Sequence, residues 1–157
     1  MIIERAVIID MEEILALQKL AYRSEAEIYN DFSIPPLLQT LEEIKEEFRD
    51  QVFLKAIVNG KIIGSVRAYQ NEEACYIGKL IIEPESQNQG IGTRLLYEIE
   101  GAFKLSKRYK LFTGHKSVKN ICLYQKAGYK VYKQEKITDN INFVYLEKIN
   151  HCESENL

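Results

Sequence analysis

The chain has 157 residues, 46% of them hydrophobic, which is enough apolar material for one domain with its own core. Its 21 lysines and arginines nearly balance 23 aspartates and glutamates, so no strong positive field favours a nucleic acid or an anionic membrane as partner. The start Met-Ile-Ile-Glu-Arg mixes acid and base, and no stretch reaches the roughly 20 apolar residues of a membrane span, so we expect a cytoplasmic protein.

The first elements are predicted to be a strand and a long helix. Apolar residues surround a charged pair over residues 2–9, which is typical of a strand. Asp10 and Glu13 have the spacing of a capping box, and apolar residues then recur at helical spacing to about Tyr29.

A second, shorter helix is predicted after a proline pair. Pro35 and Pro36 favour an extended connection. Thr40 and Glu43 then form a second capping box, which opens a helix that we expect to end near Asp50.

The middle of the chain predicts three antiparallel strands in a meander. Two β-rich runs, 52–58 and 61–69, flank Asn59-Gly60, a strong hairpin signal. A polar turn at 71–73 leads into a third strand over 74–82.

The last third of the chain predicts two helices and three strands. Helical periodicity extends from Gly90 to about residue 106, and a helix over 117–127 stops at Gly128. Strands are expected over 109–113, 130–137 and 141–146. The whole chain therefore predicts a single α/β (α+β) domain over residues 1–149, with a mixed, mostly antiparallel sheet of about seven strands, about four helices and a polar tail over 150–157.

The stretch over residues 80–92, Leu-Ile-Ile-Glu-Pro-Glu-Ser-Gln-Asn-Gln-Gly-Ile-Gly, has the outline of an anion site. The first amides of a helix lack internal partners and lie at the positive end of its dipole, so they can bind a phosphate or pyrophosphate. Gly90 and Gly92 would let such a ligand approach, although the pair also suits a tight turn or close helix packing. Leu95 stands where the dinucleotide fingerprint needs a glycine, and the Walker lysine is missing, which disfavours nicotinamide and nucleoside triphosphates.

Two motifs resemble the GNAT superfamily of N-acetyltransferases. The run from Gln87 to Gly92 reads Q-x-x-G-x-G directly after an I-x-P turn, and residues 120–129 are similar to the family's N-x-x-A-x-x-L-Y-x-x-x-G-F/Y helix, with small shifts in spacing. The resemblance covers the whole chain in element order. It implies direct transfer of an acetyl group from acetyl-CoA to a primary amine of a small molecule or peptide, with no metal, by a monomer or homodimer.

The resemblance also implies a set of cofactor residues. Loop amides would bind the pyrophosphate of acetyl-CoA, and the backbone at the end of the third meander strand would pair with the pantetheine arm. Asn120 would bond the pantetheine, although it also suits helix capping, and Lys126 would meet the ribose phosphate unless it is merely solvated. The implied residues are Leu80, Ile82, Gln87, Asn88, Gln89, Gly90, Ile91, Gly92, Thr93, Asn120 and Lys126.

Tyr124 is the implied catalytic residue. In the family the tyrosine at this place donates a proton to the departing thiolate. The unperturbed pKa values of a thiol and a phenol, about 8.5 and 10, are close enough for such a transfer. The alternative is an ordinary core tyrosine on an amphipathic helix. The amide of the strand that carries Leu80 would stabilise the developing oxyanion.

The general base and the acceptor site stay open at this stage. Many family members carry a glutamate about two residues before the Leu80 position, where this chain has Gly78 and Lys79. His115 has a suitable intrinsic pKa, but a histidine in a turn is often structural. The first helix and the residues after it offer further acceptor candidates, or an ordinary solvated face: Tyr22, Glu25, Tyr29 and Asp31.

Two other functions compete with the enzyme. A non-catalytic acyl-CoA binding or sensing module would keep the loop but not need Tyr124. An RNA-associated protein would use a basic cluster at a helix end, which also suits the negative end of the helix dipole: Lys104, Lys107, Arg108 and Lys110. The cysteines at 75, 122 and 152 are odd in number and far apart, so we expect neither a disulfide framework nor a zinc site.

Overall fold

The computed structural model describes residues 1–151, and Cys152 with the rest of the polar tail lies outside them. One seven-stranded sheet has the order β1-β2-β3-β4-β5-β7-β6. The predicted single α/β domain is confirmed, with five α-helices. In chain order the elements are β1 Ile2–Arg5, α1 Met11–Tyr29, α2 Pro35–Leu38, α3 Leu41–Asp50, β2 Val52–Val58, β3 Lys61–Asn71, β4 Ala74–Ile82, α4 Ile91–Ala102, β5 Arg108–Gly114, α5 Val118–Lys126, β6 Lys130–Lys136 and β7 Asn142–Ile149.

The expected capping box at Asp10 is wrong. Asp10 closes a 3-10 turn, Ile8–Asp10, and makes no side-chain cap. Its carboxylate accepts instead from the Lys55 ammonium at 2.7 Å. Glu13 accepts from the backbone N–H of Ile62 at 2.8 Å. Both carboxylates are thus used by the neighbouring strands, and β1 is shorter than predicted because residues 8–10 form the 3-10 turn.

The proline pair does not form an extended connection. Pro35 and Pro36 open α2 as its first two residues, where a missing N–H costs nothing because the first amides of a helix have no intrahelical acceptor. This single turn is the one helix that the sequence analysis did not predict. The second capping box is confirmed, since Glu43 N–H donates to Thr40 Oγ1 at 3.2 Å and Thr40 N–H donates to the Glu43 carboxylate at 2.9 Å.

The predicted meander is confirmed. Asn59 and Gly60 have φ values of 51° and 76°, so both turn residues adopt the left-handed conformation that a tight hairpin requires. Helix α4 ends at Ala102, four residues before the predicted end, because Phe103 leaves the helical region with φ −123° and ψ 42°.

A gap between β4 and β5 shapes the functional end of the sheet. These two strands are the one parallel pair among the described strands, and they share three residue pairs, the last joining Tyr76 to Lys110. Beyond this last pair, β4 continues to pair with β3, and β5 continues to pair with β7. Between the pairs Arg67–Gly78 and Ser65–Ile81, two residues of β4 (79 and 80) oppose one residue of β3 (66), so β4 carries a bulge at the start of the gap.

The two faces of the sheet carry separate cores. Helix α1 and α3 cover one face with residues such as Met11, Ile14 and Ile44. Helix α4 and α5 cover the other with residues such as Leu95 and Tyr124. The gap therefore connects the α1 side to the α5 side through the middle of the domain.

Candidate active site

The start of α4 is an open anion-binding position. Gly90 is the N-cap with φ 80°, and no side chain caps the helix. The first intrahelical bond runs from Arg94 N–H to Gly90 O at 3.2 Å, so the amides of residues 91–93 have no acceptor inside the helix. Asn88 is also left-handed, with φ 64°. With left-handed residues at 88 and 90, the loop leads into the helix so that free amides lie at the positive end of a 12-residue helix.

The two glycines of the motif have different tasks. A Cβ on Gly90 would meet nothing within 4 Å, so this glycine serves the left-handed turn and keeps the helix start open. A Cβ on Gly92 would lie 3.2 Å from Leu123 Cδ1, so this glycine lets α4 pack closely on α5. Gly92 also faces Ile82 and Leu80, at 3.9 Å and 4.0 Å. The close-packing alternative therefore holds for Gly92 and not for Gly90.

The other predicted cofactor residues lie in the loop, in the first turn of α4 and on α5. Gln89 is exposed in the loop, and Gln87 donates to the backbone oxygen of Ile82 at 3.4 Å. Ile91 is buried and Thr93 is half-buried. Lys126 is exposed in the last turn of α5.

Tyr124 is buried, 7% exposed, and lies on α5 one turn after Asn120, which contacts Thr113 near the end of β5. Burial raises the pKa of its hydroxyl, and Tyr22 and Glu25 raise it further. Within residues 1–151 its hydroxyl has no hydrogen-bond partner. The side chain therefore offers a protonated, unengaged donor at neutral pH.

Glu25 joins α1 to α5 across the gap. Its carboxylate accepts from Ser117 Oγ at 2.5 Å and from Asn120 Nδ2 at 3.3 Å. Asn120 Nδ2 also donates to Thr113 Oγ1 at 3.2 Å. Asn120 makes no cap, since the start of α5 has no side-chain cap. With both protons of its amide nitrogen directed at protein, Asn120 has its Oδ1 left to accept a hydrogen bond.

Tyr29 and His115 make hydrogen bonds to residues that border the gap. The Tyr29 hydroxyl lies 2.8 Å from Ser117 Oγ and accepts from Lys116 N–H at 2.9 Å. His115 Nδ1 accepts from the backbone N–H of Asn142 at 2.9 Å, which ties the end of β5 to the start of β7. His115 thus has a structural task. Asp31, another acceptor candidate, accepts locally from Ser33.

A buried arginine on the α1 side was missed by the sequence analysis. Arg67 pairs with Glu47 at 3.1 Å and donates to Gln18 Oε1 at 2.8 Å and to Gln39 Oε1 at 3.2 Å. Its place inside an otherwise largely apolar run of β3 was the available signal. Burial raises the pKa of Tyr22 to about 12, with Arg67 lowering it and Glu25 raising it.

The cysteines give no sign of chemistry. Cys75 is buried, and burial raises the pKa of its thiol to about 12, whereas Cys122 is exposed. Within residues 1–151 no group of three or more His, Cys, Asp or Glu is arranged to hold a metal ion. None of the helices in the same range has the length and apolarity needed to cross a bilayer.

Comparisons with known proteins bear on the family and the fold. The family model described as acetyltransferase (GNAT) domain matches residues 24–149. The chain is 29% identical over 117 residues to the UPF0157 protein YqkA of Bacillus subtilis, which is 74% of this chain and 34% of that protein. The chain thus spans about a third of the length of the curated relative it matches.

Solved structures share the fold. The ribosomal-protein-S18-alanine N-acetyltransferase of Escherichia coli superposes with a TM-score of 0.81 at 15% identity, over 99% of this chain and 97% of that chain. The PaiA N-acetyltransferase of Thermoplasma acidophilum, in complex with coenzyme A, superposes with a TM-score of 0.67 at 23% identity, over 95% and 99% of the two chains.

Proposed function

Because the chain belongs to the GNAT acetyltransferase family, we propose that it transfers an acetyl group from acetyl-CoA to a primary amine. The observation that carries the proposal is the uncapped start of α4 next to the gap that holds Tyr124. One end of this arrangement suits the phosphates of a coenzyme, and the other suits the thiol that leaves. The coenzyme A bound to PaiA, a structure of the same fold, supports this choice of acetyl donor.

We place acetyl-CoA along the gap. The amides of residues 87–93 would bind the pyrophosphate, and the backbone of Leu80 and Ile82, which has no β5 partner, would pair with the pantetheine amides. The Oδ1 of Asn120 would accept from the pantetheine, while Glu25 and Thr113 hold the side chain in place. Lys126 would interact with the ribose phosphate.

The reaction needs no covalent enzyme intermediate. The neutral amine attacks the thioester carbonyl, and the Leu80 amide donates to the oxyanion that develops. As the tetrahedral intermediate collapses, the C–S bond breaks and the thiolate takes a proton from Tyr124. The ammonium form of the acceptor loses one proton to water before the attack, and the nitrogen of the tetrahedral intermediate loses a second proton to water as the amide forms. Water then returns a proton to Tyr124. Burial and the raised pKa of its thiol argue against Cys75 as a nucleophile.

The pH profile follows from the state of Tyr124. Its raised pKa lies above the ordinary value of about 10, so the proton donor is retained throughout the neutral and mildly alkaline range. We expect kcat/KM to rise with pH as the acceptor amine is deprotonated, without a falling limb below about pH 10. Initial rates measured from pH 6 to 10 test this. A falling limb near pH 8 that disappears in Tyr124→Phe would contradict it.

A pair of glycine variants tests the cofactor loop. Gly90 and Gly60 both have left-handed φ values, 80° and 76°, and a Cβ on either meets nothing within 4 Å. Alanine at either position should cost about 1 kcal/mol of stability, because both backbones stay left-handed. We expect only Gly90→Ala to weaken acetyl-CoA binding, by about tenfold, since its methyl group projects at the proposed phosphate site. Isothermal titration measures the acetyl-CoA affinity of both variants. Equal affinities of Gly90→Ala and Gly60→Ala, or no binding by the wild-type protein, would refute the placement.

A further inference from the structure

The bulge in β4 puts Lys79 at the edge of the gap. Lys79 follows the last residue pair between β4 and β5 and has φ 50°, a left-handed conformation that costs a lysine about 1 kcal/mol. Strained backbone of this kind persists where the surrounding structure requires it, and it is frequent at ligand sites. The bulge therefore puts a lysine directly after Gly78, which pairs with the β3 residue Arg67, and the Arg67 guanidinium contacts α1 through Gln18.

Two cations, Lys79 and Arg67, lie near one carboxylate, Glu47. Lys79 is half-buried, and burial lowers the pKa of its ammonium, with Arg67 lowering it further and Glu47 raising it. Glu47 is already paired with Arg67 at 3.1 Å. Within residues 1–151 the Lys79 ammonium makes no hydrogen bond or ion pair. A partly buried cation without a partner is costly, so the site is short of one negative charge.

The same place belongs to the acceptor half of the proposed site. Arg67 lowers and Glu25 raises the pKa of the Tyr22 hydroxyl. Tyr22 and Glu25 both raise the pKa of the Tyr124 hydroxyl. Helix α1 also contacts both places directly, because Gln18 accepts from Arg67 and Glu25 accepts from Asn120 of α5, the helix that carries Tyr124. Glu25 is held by Ser117 and Asn120 and does not neutralise the cations by contact.

We propose that Lys79, supported by Arg67, binds an anionic group of the acceptor, so that the substrate is a small amine that also carries a carboxylate or a phosphate. This inference rests on the proposed function. The amine would point along α1 toward Tyr124 and the thioester, and the anion would complete the charge of the site. Polyamines and aminoglycosides, which bring more positive charge, are poor substrates in this arrangement.

Matched acceptors test the inference. Purified protein with acetyl-CoA is given pairs of amines that differ in one anionic group: β-alanine and β-alaninamide, 4-aminobutyrate and its amide, O-phosphoethanolamine and ethanolamine. Rates are compared at equal concentrations of free amine, which removes differences in amine pKa. The pairs distinguish a carboxylate from a phosphate acceptor. We expect the anionic member of at least one pair to have a kcat/KM at least tenfold higher.

The variant Lys79→Met carries the decisive comparison. Methionine keeps an unbranched side chain in the left-handed position, and Arg67 is left intact because its loss would strand Glu47. We expect the preference for the anion to fall to about threefold or less, through KM more than kcat. Lys130→Met, at an exposed position of β6, is the matched control and should keep the wild-type preference.

The outcomes separate this inference from the proposed function. If calorimetry shows that acetyl-CoA does not bind, the proposed function fails and this inference falls with it. If acetyl-CoA binds but no amine is acetylated, the proposed function also fails. If amines are acetylated, three results overturn the inference alone: equal rates within all pairs, an unchanged preference in a folded Lys79→Met protein, or acetylation of the neutral members only.

Discussion

Tyr124→Phe is expected to lower kcat for acetyl transfer by about 10²–10³ while acetyl-CoA affinity stays within about twofold. The hydroxyl has no hydrogen-bond partner within residues 1–151, so its removal leaves no orphaned group and should not destabilise the fold. The loss would fall on the step in which the thiolate departs, because the proton donor to sulfur is gone. Thiol release gives kcat, and isothermal titration gives the affinity for acetyl-CoA.

A second tyrosine provides the control for this experiment. Tyr132 lies exposed on β6, and Tyr132→Phe should leave kcat unchanged. Similar rates for wild type and Tyr124→Phe would show that the thiolate takes its proton from solvent. Binding of acetyl-CoA without transfer to any amine, in both wild type and Tyr124→Phe, would instead favour the non-catalytic binding module.

Gly114→Ala is expected to destabilise the protein by about 3 kcal/mol, because the added methyl group has no space. A Cβ at this position would lie 1.9 Å from the Tyr29 hydroxyl oxygen and 2.4 Å from the ring carbon that carries it. Tyr29 is only 5% exposed and is held by Ser117 and by the Lys116 amide, so it cannot swing away without losing both bonds. Urea unfolding followed by circular dichroism measures the loss.

Gly101→Ala is the matched control. Gly101 lies in α4, and a Cβ there meets nothing within 4 Å, so alanine should stabilise the helix by about 0.5–1 kcal/mol. The opposite signs of the two changes are the test. In the double variant Gly114→Ala, Tyr29→Leu we expect part of the lost stability to return, since the smaller side chain makes room. A Gly114→Ala protein as stable as wild type would show that the close contact is relieved at no cost.

The architecture was predictable where its signals are local. The Asn59-Gly60 hairpin and the Thr40–Glu43 capping box are settled by residues within a few positions of each other. The two failures near the N-terminus had distant causes. Asp10 is recruited by Lys55, 45 residues away, and the chain around the proline pair closes a helical turn that Gln18 of α1 contacts at Pro36 O, 2.9 Å away.

The candidate site divides in the same way. Its cofactor half was predictable from one continuous stretch, because a strand end, a turn and a helix start together make an anion site within residues 80–93. Its acceptor half joins residues far apart in sequence: Arg67 meets Gln18 across 49 positions, and Ser117 meets Glu25 across 92. No local pattern reports such pairs.

The sequence by itself therefore determined the order of the elements, the family resemblance and the position of the anion-binding loop, since each depends on short-range spacing and backbone preference. Only the tertiary structure decided that β4 and β5 part after Tyr76 and Lys110, and which side chains meet in the gap. The physical reason is that the contacts of Glu25, Arg67 and Lys79 exist only once α1, β3 and the bulged β4 pack around one opening, and the free energy of that packing comes from partners that the chain brings together only on folding.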